Sequence, residues 1–225
     1  MEKLISVGDL FKQSFGFYKK NIKVILTVCG IGYVPVLLSY LAGFNHDMDF
    51  SSFKAVELSR MLLFLILSLI IFVVNFLVYI ALFYIIQERS QPAGAPAKVA
   101  DLFYLASKKT GSFAWIIFLE SICILAGFIL FVVPGIIFSV WFIFSTYMFV
   151  FEGKRGGAAL SASRQLVKGY WWPVFGRYFL LMLLSMVISL IPILGDPINF
   201  LFIVPFCAIF GYFIYQDLKR AKSIV

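Results

Sequence analysis

The chain has 225 residues, of which 62% are hydrophobic, 19% aromatic and 13% charged, and its mean hydropathy is +1.00. A typical soluble domain has roughly 45–50% apolar and roughly 25% charged residues. This composition excludes a soluble enzyme, a disordered protein and a disulfide-stapled secreted module, and it indicates an integral membrane protein. The formal net charge of +8 would favour nucleic-acid binding in a soluble protein, but Lys and Arg also collect in the cytoplasmic loops of membrane proteins.

Six apolar stretches approach the length of about 20 residues that an α-helix needs to cross the bilayer core. They are predicted at 22–43, 61–87, 113–132, 135–151, 174–194 and 198–215. Val133-Pro134 separates the third from the fourth span, and Gly195-Asp196-Pro197 separates the fifth from the sixth, so both connections are predicted to be tight turns. Charged residues interrupt the segment before residue 22, which therefore lacks the layout of a cleavable signal peptide.

The distribution of charge predicts the orientation of these spans. Six spans place both termini on one side, and 17 of the 19 Lys and Arg residues fall in segments on that side, leaving only Lys54 and Arg60 on the other. Both termini are therefore predicted to be cytoplasmic, in a multi-pass protein of the plasma (inner) membrane. The same distribution explains the net charge without a nucleic-acid partner and predicts attraction to anionic membrane lipids. The oligomeric state stays open.

Three segments on the cytoplasmic side have the apolar spacing of amphipathic helices. Residues 7–18, 98–109 and 158–170 each place apolar side chains on one helical face, and we predict that they lie on the membrane interface. The expected fold is an all-α polytopic membrane protein, with six transmembrane helices and three cytosolic interfacial helices in a single domain, 1–225. A threefold repeat of helix hairpins, with units 5–87, 97–151 and 157–216, is compatible with this pattern.

A few polar residues inside the spans are candidates for a site. Glu120 is the only acidic residue well inside a predicted span, and ionisable residues at such depth are costly. Counting across the turn at Pro134 brings Glu120 close to the level of three hydrogen-bonding residues on the fourth span, Ser145, Thr146 and Tyr147. Two further candidates are Asn75, midway along the second span, and Arg177, a counter-ion for Glu120 at the base of the fifth.

This polar cluster has two interpretations. One is a polar cavity or a relay for a proton or ligand, and the other is a satisfied cluster that fixes helix packing. A single carboxylate without a second acid or histidine at its depth does not favour acid–base catalysis. The sequence also contains no catalytic motif. Ser185 and Ser189 form a small-xxx-small pair, which favours helix packing over a nucleophile. We therefore expect a protein that is not an enzyme.

No cofactor and no metal site is expected. His46-Asp47-Met48-Asp49 supplies ligand types at close spacing, but no second cluster completes a coordination shell. Cys29, Cys123 and Cys207 all lie in apolar runs and are predicted to be free thiols. The 27 Phe residues are compatible with a lipid-facing surface or with a groove for acyl or isoprenoid chains.

The stretch from 133 to 169 carries a resemblance to a known family. It reads Val133-Pro134-Gly135, an apolar span, Phe151-Glu152-Gly153, then Ala159-Leu160, Ser163, Leu166 and Val167-Lys168-Gly169. This resembles the membrane domains fused to glycerophosphodiester phosphodiesterases and related uncharacterised inner-membrane proteins of bacteria. The resemblance implies a compact helical membrane domain. The catalytic activity of that family belongs to a separate soluble domain, which these apolar residues cannot form.

Within that stretch, Glu152 stands at the inner end of the fourth span and basic residues follow it. It is predicted to pair with Arg155, Arg164 or Lys168, of which the last two share a helical face. Such pairing would be a structural clasp on the third amphipathic helix, and the alternative is a site for a lipid headgroup. The expected function is binding or translocation of a lipid or other amphiphile. The alternative is a scaffold or regulator that docks a protein partner on its basic cytosolic face.

Overall fold

The computed structural model describes residues 4–41, 55–91, 98–192 and 194–223. Within these ranges all regular secondary structure is helical and no strand is present. The helices are α1 (Val7–Leu41), α2 (Ala55–Ser90), α3 (Val99–Leu130), α4 (Val132–Phe142), α5 (Ser145–Glu152), α6 (Gly157–Val167), α7 (Trp171–Ser189), α8 (Gly195–Ile198), a π-helical segment (Asn199–Ile203) and α9 (Val204–Ser223). The predicted loop His46-Asp47-Met48-Asp49 lies outside the described residues.

Six helical segments of the described chain are long and apolar enough to cross a membrane. They are Val7–Leu41, Met61–Ser90, Val99–Leu130, Val132–Glu152, Trp171–Ser189 and Gly195–Lys222. Each contains one of the spans predicted from the sequence or most of it. The all-helical, multi-pass architecture is therefore confirmed.

The first two amphipathic segments are not separate helices. Residues 7–18 form the beginning of α1, and residues 99–109 form the beginning of α3. No proline stands between the polar and apolar parts of either helix, and the single Gly111 costs only about 1 kcal/mol inside a helix. The prediction of three separate interfacial helices is not confirmed, and neither is the threefold repeat, because only the third unit has a separate amphipathic helix.

Glycines in the left-handed region separate α6 from its neighbours. Gly153 has φ 68°, Gly156 has φ 51° and Gly169 has φ 91°, values that residues with a Cβ rarely adopt. Between these turns α6 buries six residues against the rest of the protein: Ala159, Leu160, Ala162, Ser163, Leu166 and Val167. The third amphipathic segment thus packs under α4 and α5 with its apolar face inward.

The hairpin between the third and fourth spans turns earlier than predicted. The break is the single extended residue Phe131, with φ −166° and ψ 159°, and Pro134 lies within the first turn of α4. Proline is tolerated there because the first helical N–H groups have no partner within the helix. The two helices approach closely, since a Cβ on Gly127 would lie 2.9 Å from the Cα of Gly135.

The second tight turn is also displaced from its predicted position. The chain leaves α7 after Ser189 and starts α8 at Gly195, so Gly195-Asp196-Pro197 opens the next helix instead of forming the turn. The last span then continues through the π-helical segment into α9. A π-helical turn inside a spanning helix is uncommon and often occurs at functional sites.

The buried core is displaced toward one end of the bundle. We call this the basic end, where the Ile5 amide bonds to Asp217 and the Tyr215 hydroxyl bonds to Glu152. The opposite end, around Phe131, is the hairpin end. Large apolar side chains are exposed along the helices toward the hairpin end, including Leu62, Leu65, Phe72, Leu125, Ile129, Met182 and Leu190. An apolar belt of this kind is what a lipid environment accommodates.

Candidate functional site

The fourth span is interrupted between α4 and α5, and a side chain from another helix satisfies the break. The hydroxyl of Ser163 in α6 accepts the Phe144 N–H at 3.1 Å and donates to the Trp141 carbonyl at 2.7 Å. A continuous helix would pair both backbone groups internally. Ser163 is 0% exposed, so no solvent can replace it.

Glu120 of α3 lies beside this break. The Ser145 hydroxyl, in the first turn of α5, donates to Oε2 of Glu120 at 2.5 Å. This contact agrees with the level predicted by counting across the hairpin. Thr146 and Tyr147 are buried next to Ser145, but the Tyr147 hydroxyl donates to the Ala208 carbonyl of α9 at 2.7 Å.

A pair of tyrosines connects α5, α7 and α9. The hydroxyls of Tyr147 and Tyr178 meet beside Gly211, where any Cβ would clash with both of them. Because the single proton of Tyr147 goes to the Ala208 carbonyl, Tyr178 can bond to the Tyr147 oxygen only as a donor. Glycine at this position in α9 therefore leaves the space that the tyrosine pair occupies.

A groove of about 430 Å³ runs along one face of α7 and starts at Tyr178. Its lining consists of Tyr178, Leu181, Met182, Ser185, Met186 and Ser189 of α7, with Cys207 of α9 opposite. The six α7 residues recur at intervals of three and four, which places them on a single helical face. This lining contains no charged side chain.

Asn199, the first residue of the π-helical segment, holds α7 at the hairpin end of the groove. Its Oδ1 accepts the Ser185 hydroxyl at 2.9 Å, and its Nδ2 donates to Ser189 Oγ at 2.8 Å. We call this set of contacts the hairpin tie. The hairpin tie joins Ser185 and Ser189 of α7 to the last span, as a packing role for this pair requires.

Arg177 precedes Tyr178 in α7 and has a partner different from the predicted one. Its Nη1 lies 3.4 Å from Oδ2 of Asp217 in α9, and its Nη2 donates to the Ile5 carbonyl at 2.5 Å. Asp217 Oδ2 also accepts the Ile5 N–H at 3.0 Å. We call these contacts the basic tie. The predicted pairing with Glu120 does not form, because an acid on α9 lies within reach of Arg177 at the basic end.

Glu152 forms a clasp, but with the last helix instead of α6. It accepts the Tyr215 hydroxyl at 2.7 Å and pairs with Lys219 at 3.0 Å and with Lys154 at 2.8 Å. Tyr215 and Lys219 are four residues apart on one face of α9, so both of these long side chains reach the carboxylate.

The three basic residues predicted as partners of Glu152 are exposed. The Arg164 guanidinium stacks over the Trp141 ring at 4.3 Å. Arg155 and Lys168 take part in none of the ion pairs formed by the described residues. The predicted clasp on the third amphipathic helix is therefore replaced by a clasp on α9.

Asn75 belongs to a second, smaller cavity of about 100 Å³. Its Nδ2 donates to the Ile71 carbonyl at 2.8 Å, while its Oδ1 is buried without a hydrogen-bond partner among the described residues. Cys29, Tyr79 and Phe200 are also part of the lining. The lining of this cavity includes neither Glu120 nor Ser145.

Three residues of this region were not predicted from the sequence. Asp217 lies two residues beyond the sixth predicted span, so a search for polar residues inside the spans omits it. Asn199 is an amide within a predicted span, the same signal that identified Asn75. Tyr178 gave no separate signal, since the chain contains 11 tyrosines.

The described residues contain no group of three or more His, Cys, Asp or Glu side chains that could hold a metal ion. All three cysteines are free thiols, buried or half-buried, as predicted.

Comparisons with models of protein families, with curated proteins and with solved structures find no match to this chain. The resemblance to the membrane domains of the phosphodiesterase family stays an expectation from the sequence.

Proposed function

We propose that this protein binds or translocates a lipid or other amphiphile, with an apolar chain of that molecule held in the groove along α7. The observation that carries the proposal is the groove itself, because it opens in an apolar belt and ends at a pair of buried hydroxyls. A volume of about 430 Å³ falls within the range of about 300–1,000 Å³ typical of small-molecule sites.

The lining of the groove favours a flexible apolar ligand. Met182 and Met186 are unbranched and polarisable, and such side chains adapt to irregular apolar shapes. Leu181 forms the buried floor. The polar groups, Tyr178 and the two serines of the hairpin tie, are few and fixed by hydrogen bonds, which is the usual arrangement in ligand pockets.

We also propose that the protein lies in the plasma (inner) membrane and that it is not an enzyme. The excess of Lys and Arg on one side supports cytoplasmic termini in a plasma (inner) membrane. Glu120 and Ser145 form a pair without a second acid or a histidine, which supports binding rather than chemistry. Anionic lipids are expected around the basic end, where Lys154, Lys168 and Lys219 lie.

Native mass spectrometry of the protein released from membrane nanodiscs tests this proposal. We expect one lipid or amphiphile to stay bound one-to-one to the wild type. Met182→Trp fills the groove and should abolish this retention, whereas Leu180→Trp, about 200° round the same helix, should leave it unchanged. A bare chain, or equal retention in both variants, would contradict binding in the groove.

A scaffold or regulator is the second candidate, favoured by a specific surface. Tyr104 is 60% exposed and Leu105 42% exposed on the part of α3 next to Lys108 and Lys109. Apolar side chains rimmed by charge are typical of protein interfaces. Photo-crosslinking from Tyr104 in cells distinguishes the candidates, since a scaffold would give one dominant protein adduct while Met182→Trp left its function intact.

A further inference from the structure

We infer that the ligand in the groove is an uncharged amphiphile, with a neutral hydroxyl-type polar group at Tyr178 and a single chain that runs toward Ser189. This inference rests on the proposed function and names the class of its ligand. It comes from the charges and hydrogen bonds of the groove and of its two ends.

No charged group is available to a ligand inside the groove. The seven residues of the lining are neutral, and Arg177, which precedes Tyr178 in the chain, is paired with Asp217 and bonded to the Ile5 carbonyl. A phosphate or carboxylate without a cationic partner in an apolar site would carry a large desolvation penalty. A charged headgroup is therefore excluded from this space.

The hydrogen bonds within the protein determine which donors and acceptors of the groove remain free for a ligand. The proton of Tyr147 goes to the Ala208 carbonyl, so the neighbouring Tyr178 hydroxyl can only donate to Tyr147 and keeps its oxygen as an acceptor for a ligand. The Ser185 hydroxyl donates its hydrogen bond to Asn199, so its oxygen can also still accept one. Ser189 accepts from Asn199 and retains its own proton as a donor. An alcohol both donates and accepts, so it matches these groups, whereas a phosphate diester, which only accepts, does not match Tyr178.

The length and the opening of the groove limit how the ligand lies. From Tyr178 to Ser189 the groove covers twelve residues of α7, a rise of roughly 16 Å at 1.5 Å per residue. The lining ends at Tyr178 toward the basic end, and Met182 and Met186 are exposed along its length. The groove is therefore open to the lipid along its side, and a ligand that enters there brings its polar group through the apolar region. Only a neutral polar group does this at low cost.

A matched pair of ligands tests the inference. Monooleoylglycerol and its phosphate ester, oleoyl lysophosphatidate, have the same chain and differ in charge. The protein is placed in phosphatidylcholine nanodiscs that contain both, and native mass spectrometry measures the ratio of the two bound species. We expect monooleoylglycerol to be retained at least about tenfold better, a difference of about 1.4 kcal/mol.

Variants of the protein test whether the polar group of the ligand binds at Tyr178. They also distinguish failure of this inference from failure of the proposed function. Tyr178→Phe should weaken retention of monooleoylglycerol about two- to tenfold, the worth of one hydrogen bond. Tyr212→Phe, which removes a hydroxyl that accepts from Gln216 outside the groove, should not. If the wild type retained both ligands equally, or preferred the phosphate ester, and Met182→Trp did not, the inference of an uncharged ligand would be wrong. Binding in the groove would still be supported by that result. Retention of neither ligand, with no endogenous lipid bound, would remove the proposed function.

Discussion

Ser163→Ala removes the hydroxyl that serves both sides of the break between α4 and α5. The Phe144 N–H and the Trp141 carbonyl would then be left without their partner. Ser163 and Phe144 are both 0% exposed, so water does not compensate. An unsatisfied buried polar group costs about 1–3 kcal/mol, and two such groups give an expected loss of about 2–6 kcal/mol in the free energy of unfolding.

Reversible unfolding in mixed micelles measures this loss, and Ser161→Ala provides the control. Ser161 lies two residues away on the exposed face of α6, so the control keeps the helix and its composition but touches neither backbone group. It should change stability by less than about 0.5 kcal/mol. If Ser163→Ala were no more destabilising than Ser161→Ala, the break would not depend on α6, and the reasoning from these two hydrogen bonds would be refuted.

Three other substitutions probe the polar groups within the membrane region and at its edge. Glu120→Gln should keep the bond from Ser145 and change unfolding stability by less than about 1 kcal/mol, whereas Glu120→Leu should cost about 1–3 kcal/mol; equal effects in the same unfolding assay would contradict the pairing. Asp217→Ala leaves Arg177 buried without its acid and should cost about 3–5 kcal/mol, with Arg177→Met/Asp217→Leu less damaging than Asp217→Ala alone. Glu152→Gln should accelerate hydrogen exchange at 212–222 and leave 158–170 unchanged, and the reverse pattern would restore the clasp on α6.

The spans could be predicted because each depends on the local property of apolar length. The residues at which the chain turns between spans could not be predicted as closely, and both predicted turns lie after the observed ones. Proline and glycine were expected to form the turns, but Pro134 and Pro197 both lie in the first turn of a helix. Proline suits either place, since it fixes φ and lacks the N–H that a first turn leaves unpaired. Composition alone therefore does not distinguish a turn from the helix that follows it.

Amphipathic periodicity predicted which faces of the basic-end segments would be apolar, but not whether each segment would be separate. Leu10 and Leu102 are buried as that pattern requires, yet both belong to helices that continue into spans. α6 is separate because Gly153 and Gly156 adopt positive φ at its start. Whether a glycine turns the chain depends on the packing around it, which the residue type does not reveal.

Contacts across one hairpin could be counted in the sequence, and contacts between hairpins could not. Glu120 and Ser145 are 25 residues apart across a short turn, so their levels follow from the rise per residue. Arg177 and Asp217 belong to helices whose relative height depends on the turn between α7 and α8 and on the π-helical segment. An extra residue in a helical turn changes the direction of every side chain after it, so the partner of Arg177 was not accessible to counting.

The buried polar side chains differ in what they satisfy, and this difference selects the functional candidates. Ser163 satisfies the backbone at a helix break, and Arg177 with Asp217 satisfies the Ile5 backbone before α1. A lipid environment requires such partners wherever a helix is interrupted, so folding alone explains these residues. Glu120 accepts a hydrogen bond from the Ser145 side chain, and the Tyr178 hydroxyl lies against the Tyr147 hydroxyl. Because neither contact serves an interrupted backbone, the need to satisfy the backbone does not explain Glu120 and Tyr178, and these two residues are the candidates for contact with a ligand.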